Sequence, residues 1–196
     1  MKNAHVLISA SLLLTATSMC LQAQEPQFPA PSHFRGVIND FTPVTVGTSP
    51  WELHGPWSLT LDRESQTARF SAALTMELSD FGQTAANVNA VARSQHTHHI
   101  TMTVDTVVYN PTDCPPAPAG TPPYTARIEL TGTANIEANG SQAPFGPSPL
   151  QVCIAGGSQV EFSNITLVFT PASGASGHFG SQAIHGVVQK VDQLGN

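Results

Sequence analysis

Charged residues are scarce in this chain, and that scarcity limits the partners it can have. Only 10% of its 196 residues are charged, and seven Lys and Arg stand against 13 Asp and Glu. The formal net charge is −6 at pH 7. Nucleic acids and anionic membrane surfaces are recognised through clustered positive charge. We therefore expect neither of them as a partner.

Long apolar runs are missing too. No stretch reaches the ~18 apolar residues that a membrane-spanning helix needs, so we expect no transmembrane span. Near the N-terminus, Lys2 precedes a short apolar core at residues 6–14, and Leu21-Gln22-Ala23 offers a peptidase site. These features predict a signal peptide over residues 1–23 and export to the periplasm or the extracellular space. Lipid attachment at Cys20 is the alternative, which the large methionine before it disfavours.

Cysteine is rare, with three residues in the whole chain. Signal cleavage would leave Cys114 and Cys153. In an oxidising compartment these two predict a disulfide, and two free buried thiols are the alternative. Closing a loop of about 40 residues should stabilise the fold by roughly 4 kcal/mol through loss of unfolded-chain entropy. The bond would anchor a loop at residues 110–123 that contains six prolines.

Recognisable catalytic motifs are absent from the sequence. It contains no Gly-x-Ser-x-Gly nucleophile elbow, no phosphate loop, no dinucleotide fingerprint and no haem attachment motif. Acidic residues such as Glu77 occur singly on predicted polar faces, which is typical of solvated surface charge. We therefore assign no catalytic residue, and the sequence leaves open whether the protein is an enzyme.

Apolar and polar residues do alternate along much of the chain, which is the pattern of half-buried β-strands. The clearest run places Phe70, Leu74 and Met76 on one face. Ile128 and Leu130 share a face in the same way. We expect these faces to be buried. The pattern predicts an all-β domain, either an antiparallel β-sandwich or a barrel of about seven to ten strands.

Turn residues divide the chain into separate strands, and the only helix candidate is a short one at residues 84–93. The predicted strands are residues 36–46, 57–61, 68–78, 96–108, 124–130, 134–138, 150–154, 160–169 and 184–191. Gly132 predicts a bulge or bend, and so does the phase shift near Ser163. Glycines at residues 174–177 predict a turn. We expect a proline-rich linker at residues 24–35 and a single β domain at residues 36–192.

The stretch His96-Thr97-His98-His99 holds three of the chain's eight histidines. If it begins a strand, His96 and His98 lie on the apolar face and His99 points the other way. Imidazole is the commonest transition-metal ligand in proteins, and a His-x-His pair can reach one ion. The pair therefore predicts half of a metal site.

Zinc or copper would need one or two further ligands. The candidates are His178, in a glycine-rich turn, and His185, on the last strand. The alternative is that these histidines only hydrogen-bond at the end of the core.

Short motifs resemble the chordin-type (CHRD) domain in their order. They are Gly55-Pro56-Trp57-Ser58-Leu59-Thr60-Leu61-Asp62, Ala68-Arg69-Phe70-Ser71-Ala72-Ala73-Leu74, His96-Thr97-His98-His99-Ile100 and Ile184-His185-Gly186-Val187-Val188. The likeness spans about residues 36–190, although the family's usual Ala-His-Ile-His is replaced here by His-x-His-His. The chain also looks like uncharacterised exported bacterial proteins. The resemblance implies an exported, sandwich-like β domain and no defined activity.

Three classes of function fit these features. We favour an exported, non-enzymatic β domain that binds an unidentified protein or small-molecule partner and carries a histidine-based metal site. The second class is a metal-dependent oxidoreductase that uses copper or zinc, in the manner of superoxide dismutase. The third is a barrel that carries a small apolar ligand, which a large interior cavity would indicate.

Overall fold

The structure is a computed structural model that describes most of the chain between Ser32 and Gln193. The described residues are 32–42, 50–78, 95–111, 114, 126–139, 141–142, 145–156, 162–171 and 173–193. The elements they form are β1 (Ser32–Phe41), β2 (Trp51–Asp62), β3 (Thr67–Leu78), β4 (His96–Tyr109), β5 (Ala126–Ala138), β6 (Ser141–Gln142), β7 (Ser148–Ala155), β8 (Asn164–Phe169), α1 (Gly174–Phe179) and β9 (Ile184–Gln193).

Eight of the strands form a closed antiparallel barrel. Their order around the wall is β4-β3-β2-β1-β9-β8-β7-β5, and β4 also pairs with β5, which closes the ring. The two-residue β6 adds only to the end of β5. Closure leaves no strand of the ring with an unpaired backbone edge. The prediction of an all-β antiparallel fold is confirmed, and the barrel is the form it takes.

The barrel interior is filled by the apolar face of each strand. An eight-stranded barrel has an interior just wide enough for side chains to fill. The predicted inward residues of β3 and β5 are all buried: Phe70, Leu74, Met76, Ile128 and Leu130. Trp57 is buried as well, and its indole Nε1 donates a hydrogen bond to the Val187 carbonyl oxygen. The alternation seen in the sequence therefore positions the core.

Several elements differ from their predicted bounds. Strand β1 begins at Ser32, four residues before the predicted domain start, because Ser32 continues the buried alternation of Phe34. Strand β5 runs straight through Gly132. The bulge lies on β4 instead, where the register shifts between Val104 and Thr106 opposite this glycine. A Cβ at Gly132 would clash with the backbone of β4, so the glycine permits the close approach.

The predicted turn at residues 174–177 is wrong, because the chain forms a short helix there. Ser173 caps α1, and its side-chain oxygen accepts a hydrogen bond from the Ser176 backbone N–H. Ala175 and Phe179 are four residues apart and both are buried. A cap followed by one apolar face is enough to hold a helix of six residues against the barrel.

Cys114 and Cys153 are paired as a disulfide, with their Cα atoms 5.7 Å apart. Both cysteines are buried together with Ala155. The signal peptide predicted at residues 1–23, the helix candidate at residues 84–93 and most of the proline-rich loop lie outside the described residues. In the part of the chain that is described, no helix has both the length and the apolar character to cross a membrane.

Candidate metal centre

Strand β4 places two histidines inside one end of the barrel. It begins at His96, and alternation turns His96 and His98 inward while His99 points outward and is exposed. Met76 lies opposite His96 on β3. On the other side, Ala138 of β5 lies opposite His98. His98 is almost completely buried, and His96 is partly buried at the rim.

The third histidine comes from α1. Strand β8 runs antiparallel to β7, which runs antiparallel to β5, so β8 ends at the end of the barrel where β4 begins. The connection from β8 to β9 contains α1 and lies at that same end. Phe179 holds the helix there by stacking on Phe169, with ring centroids 5.1 Å apart. The neighbouring His178 is thereby brought to the β4 histidines.

The three imidazoles converge through the same ring atom. Nε2 of His178 lies 3.3 Å from Nε2 of His96 and 2.9 Å from Nε2 of His98. Taking one ring nitrogen from each residue, all three lie within 4.8 Å of one another. The residue types and the spacing of this histidine cluster suit a transition-metal ion.

Aromatic side chains surround the cluster. Trp51, at the start of β2, meets the His96 ring edge-on with centroids 5.5 Å apart. Phe145 stacks on the His178 ring at a centroid distance of 5.4 Å. Phe179 meets the His98 ring edge-on at 5.0 Å. None of these rings could be predicted at the site from the sequence, because the contacts join residues far apart in the chain.

Burial keeps two of the imidazoles neutral. Burial is the largest cause, and together with the nearby His178 and His96 rings it lowers the pKa of His98 to about 3. Burial also lowers the pKa of His178, again aided by His96. Neutral imidazole is the form that binds metal, so protons compete little for these two nitrogens near pH 7.

The second ring nitrogen of His98, the one that does not face the other histidines, is unusual. Nδ1 is buried and forms no hydrogen bond within the described part of the protein. Metal-bound histidines mostly donate this second N–H to a carboxylate or carbonyl, which orients the ring. Here the orientation of His98 comes from packing against Phe145 and Phe179 instead.

The proposed ligand His185 does not join the cluster. Ile184 points into the core, so the next residue on β9 faces outward, and the His185 side chain is 61% exposed. Its backbone N–H and its Nδ1 both lie within hydrogen-bond distance of Asp40 Oδ2, at 2.7 and 2.8 Å. His178 therefore remains the third candidate ligand.

A second group of potential ligands lies on the outer face: Glu52, His54 and Glu77. Strand β2, which begins earlier than the predicted residues 57–61, places Glu52 and His54 on one face, and their meeting with Glu77 depends on the register between β2 and β3. The sequence predicted only a solvated surface charge at Glu77 and no role for His54.

Comparison with known proteins adds no assignment. No family model, curated protein or solved structure matches the chain. The resemblance to chordin-type domains therefore stays a prediction from short motifs, and the function is argued from the site alone.

Proposed function

We propose that this protein is an exported β-barrel that binds a transition-metal ion, zinc or copper, through His96, His98 and His178. The observation that carries the proposal is the convergence of their Nε2 atoms, at 3.3 and 2.9 Å from the shared His178 nitrogen. Ligands about 2.0–2.1 Å from a tetrahedral ion lie about 3.3–3.4 Å from one another. The observed spacings are close to that value.

Hydrogen bonding among the three rings accounts less well for this arrangement. A neutral imidazole nitrogen carries either one proton or one lone pair. Nε2 of His178 can therefore form a good hydrogen bond with His96 or with His98, but not with both. A single cation would accept the lone pairs of all three nitrogens at once.

The donor set also bears on what the ion would do. Structural zinc sites usually have four protein ligands, whereas three histidines leave a coordination position open. Within the described residues, no Cys, Asp, Glu or further His joins the three nitrogens. Such a position can hold water or a small ligand, which supports the ligand-binding hypothesis.

The same open position makes a metal-dependent oxidoreductase the second candidate, with copper as the redox-active ion. The carrier hypothesis has less support, because large apolar side chains fill the interior positions of the described strands. Export, through cleavage after the segment at residues 1–23, and an unidentified protein or small-molecule partner belong to the same proposal.

The test is metal binding by protein purified without an affinity tag. Metal content is measured by mass spectrometry, and Zn²⁺ and Cu²⁺ affinities are measured by calorimetry for His96→Ala and His178→Ala. Each variant should lose more affinity than the roughly 10–100-fold typical of removing a residue that only supports a ligand. His99→Ala, exposed on the same strand, and His185→Ala are the controls and should bind as the wild type does.

Circular dichroism establishes that each variant is folded. Unchanged affinity in both His96→Ala and His178→Ala would refute the proposed site. Equal losses in His99→Ala would indicate a flexible chelating segment instead of a formed site. Superoxide consumption by copper-loaded protein then separates the second candidate from the first.

A further inference from the structure

The outer face of the barrel carries a separate group of ligands that the histidine cluster does not use. Glu52 and His54 are two residues apart on β2, and Glu77 lies on the neighbouring β3 directly opposite Glu52. One ligand atom from each of the three residues lies within 4.8 Å of the others. The group faces outward, so the barrel wall separates it from the inward-facing His96 and His98.

The charges of this group are unbalanced without a further cation. Like charges directly opposite each other on antiparallel strands destabilise the pairing. Within the described residues, neither Glu52 nor Glu77 forms an ion pair with Lys or Arg. Among the residues that the structure describes, His54 is the only basic side chain within 4 Å of both carboxylates; its Nδ1 is 3.9 Å from each.

His54 supplies a second and independent observation. Although the side chain is 40% exposed as a whole, its Nδ1 atom is shielded from solvent and has no hydrogen-bond partner in the described structure. Nδ1 lies 3.9 Å from Glu52 Oε1 and 3.9 Å from Glu77 Oε1. These distances are too long for hydrogen bonds.

The same distances suit ligands of one ion. Two ligand atoms about 2.1 Å from a metal are about 3.0 Å apart at right angles and about 4.2 Å apart on opposite sides. The observed 3.9 Å separations fall between these limits. A shared cation would bind the shielded nitrogen and offset the repulsion between the carboxylates in one step.

We propose that Glu52, His54 and Glu77 form a second metal site, for a divalent transition-metal ion, on the outer wall of the barrel. Carboxylates favour Mn²⁺ and imidazole favours zinc and its neighbours, so the mixed set suits Mn²⁺ or Zn²⁺. All three side chains are partly exposed, which leaves the remaining coordination positions to water. The three-histidine cluster, lacking oxygen donors, is a poor competitor for Mn²⁺.

Titration of the full chain with Mn²⁺ tests this site, with the free ion followed by electron paramagnetic resonance. The wild type should bind Mn²⁺, and Glu77→Gln and His54→Gln should each weaken binding by at least about tenfold. Glu137→Gln removes an exposed outward charge from β5 and is the matched control. His98→Gln should leave Mn²⁺ binding unchanged. Absence of Mn²⁺ binding by the wild type, or equal weakening in Glu137→Gln, would overturn the proposal.

Zinc stoichiometry keeps the two sites distinguishable. With both present, the wild type binds two Zn²⁺ ions, and Glu77→Gln and His98→Gln each bind one. If only the outer site exists, the wild type binds one Zn²⁺ that Glu77→Gln loses and His98→Gln keeps. If Glu77→Gln matches the wild type for both metals, the outer-wall site is refuted, whatever the histidine cluster does.

Discussion

Acidification should destabilise the metal-free protein well above the pH range in which carboxylates titrate. The cause is His98, whose burial beside Phe179, together with the nearby His178 and His96 rings, lowers its pKa to about 3 in the folded state. In the unfolded chain an imidazole titrates near 6.5. Between these two values the unfolded state binds a proton that the folded state excludes. The free energy of unfolding must therefore fall as the pH drops through this window.

The size of the effect follows from the pKa difference. Each pKa unit corresponds to about 1.36 kcal/mol, so moving from pH 6.5 to pH 5 should lower the free energy of unfolding by about 2 kcal/mol. The lowered pKa of His178 acts in the same direction. Above about pH 7.5 both states are neutral at His98, and its contribution to the pH dependence disappears. Total stabilities of 5–15 kcal/mol make a change of about 2 kcal/mol measurable.

Urea unfolding of chelator-treated protein at pH 7.5 and pH 5.0, followed by tryptophan fluorescence, measures this loss. The variant His98→Gln removes the titrating ring, so its loss between the two pH values should be smaller by about 2 kcal/mol. His99→Gln is the matched control and should lose as much as the wild type. An identical loss in His98→Gln and the wild type would refute the assignment of the pH dependence to this buried ring.

Three further predictions concern the fold and the site. Phe70→Ala should lower the free energy of unfolding by about 3–5 kcal/mol, because Phe70 is only 2% exposed. Phe162 is 80% exposed, so Phe162→Ala is the control and should change the free energy of unfolding, measured with urea, very little. The intact mass of the native protein should rise by about two hydrogens on reduction of the bond between Cys114 and Cys153, and two free thiols in unreduced protein would contradict the pairing. Zn²⁺ at about 100 times its dissociation constant should raise the free energy of unfolding at pH 7.5 by about 2.7 kcal/mol. If calorimetric scans show the same zinc-induced rise in unfolding temperature for His178→Ala as for the wild type, binding at the histidine cluster is contradicted.

Local geometry accounts for what could be predicted from the sequence. Side chains alternate across a strand, so most of the strands and the buried faces of β3 and β5 could be predicted from period-two patterning alone. The same rule placed His96 and His98 on the inward face and His99 outside, as observed. The same alternation rule, applied to the last strand, would have predicted that His185 faces outward, because the neighbouring Ile184 is buried in the core. The pairing of Cys114 with Cys153 needed only their number and the expected export.

Long-range contacts decided the rest. Sandwich strands and barrel strands have the same alternation, and the choice between them depended on β4 pairing with β5 to close the ring. His178 reached the cluster because Ser173 caps a short helix and Phe179 anchors it on Phe169. The group of Glu52, His54 and Glu77 on the outer face of the barrel depended on a register between β2 and β3 that sets Glu52 opposite Glu77. Alternation specifies which face of a strand a residue occupies, but only packing and pairing between distant segments specify which other residues it meets there.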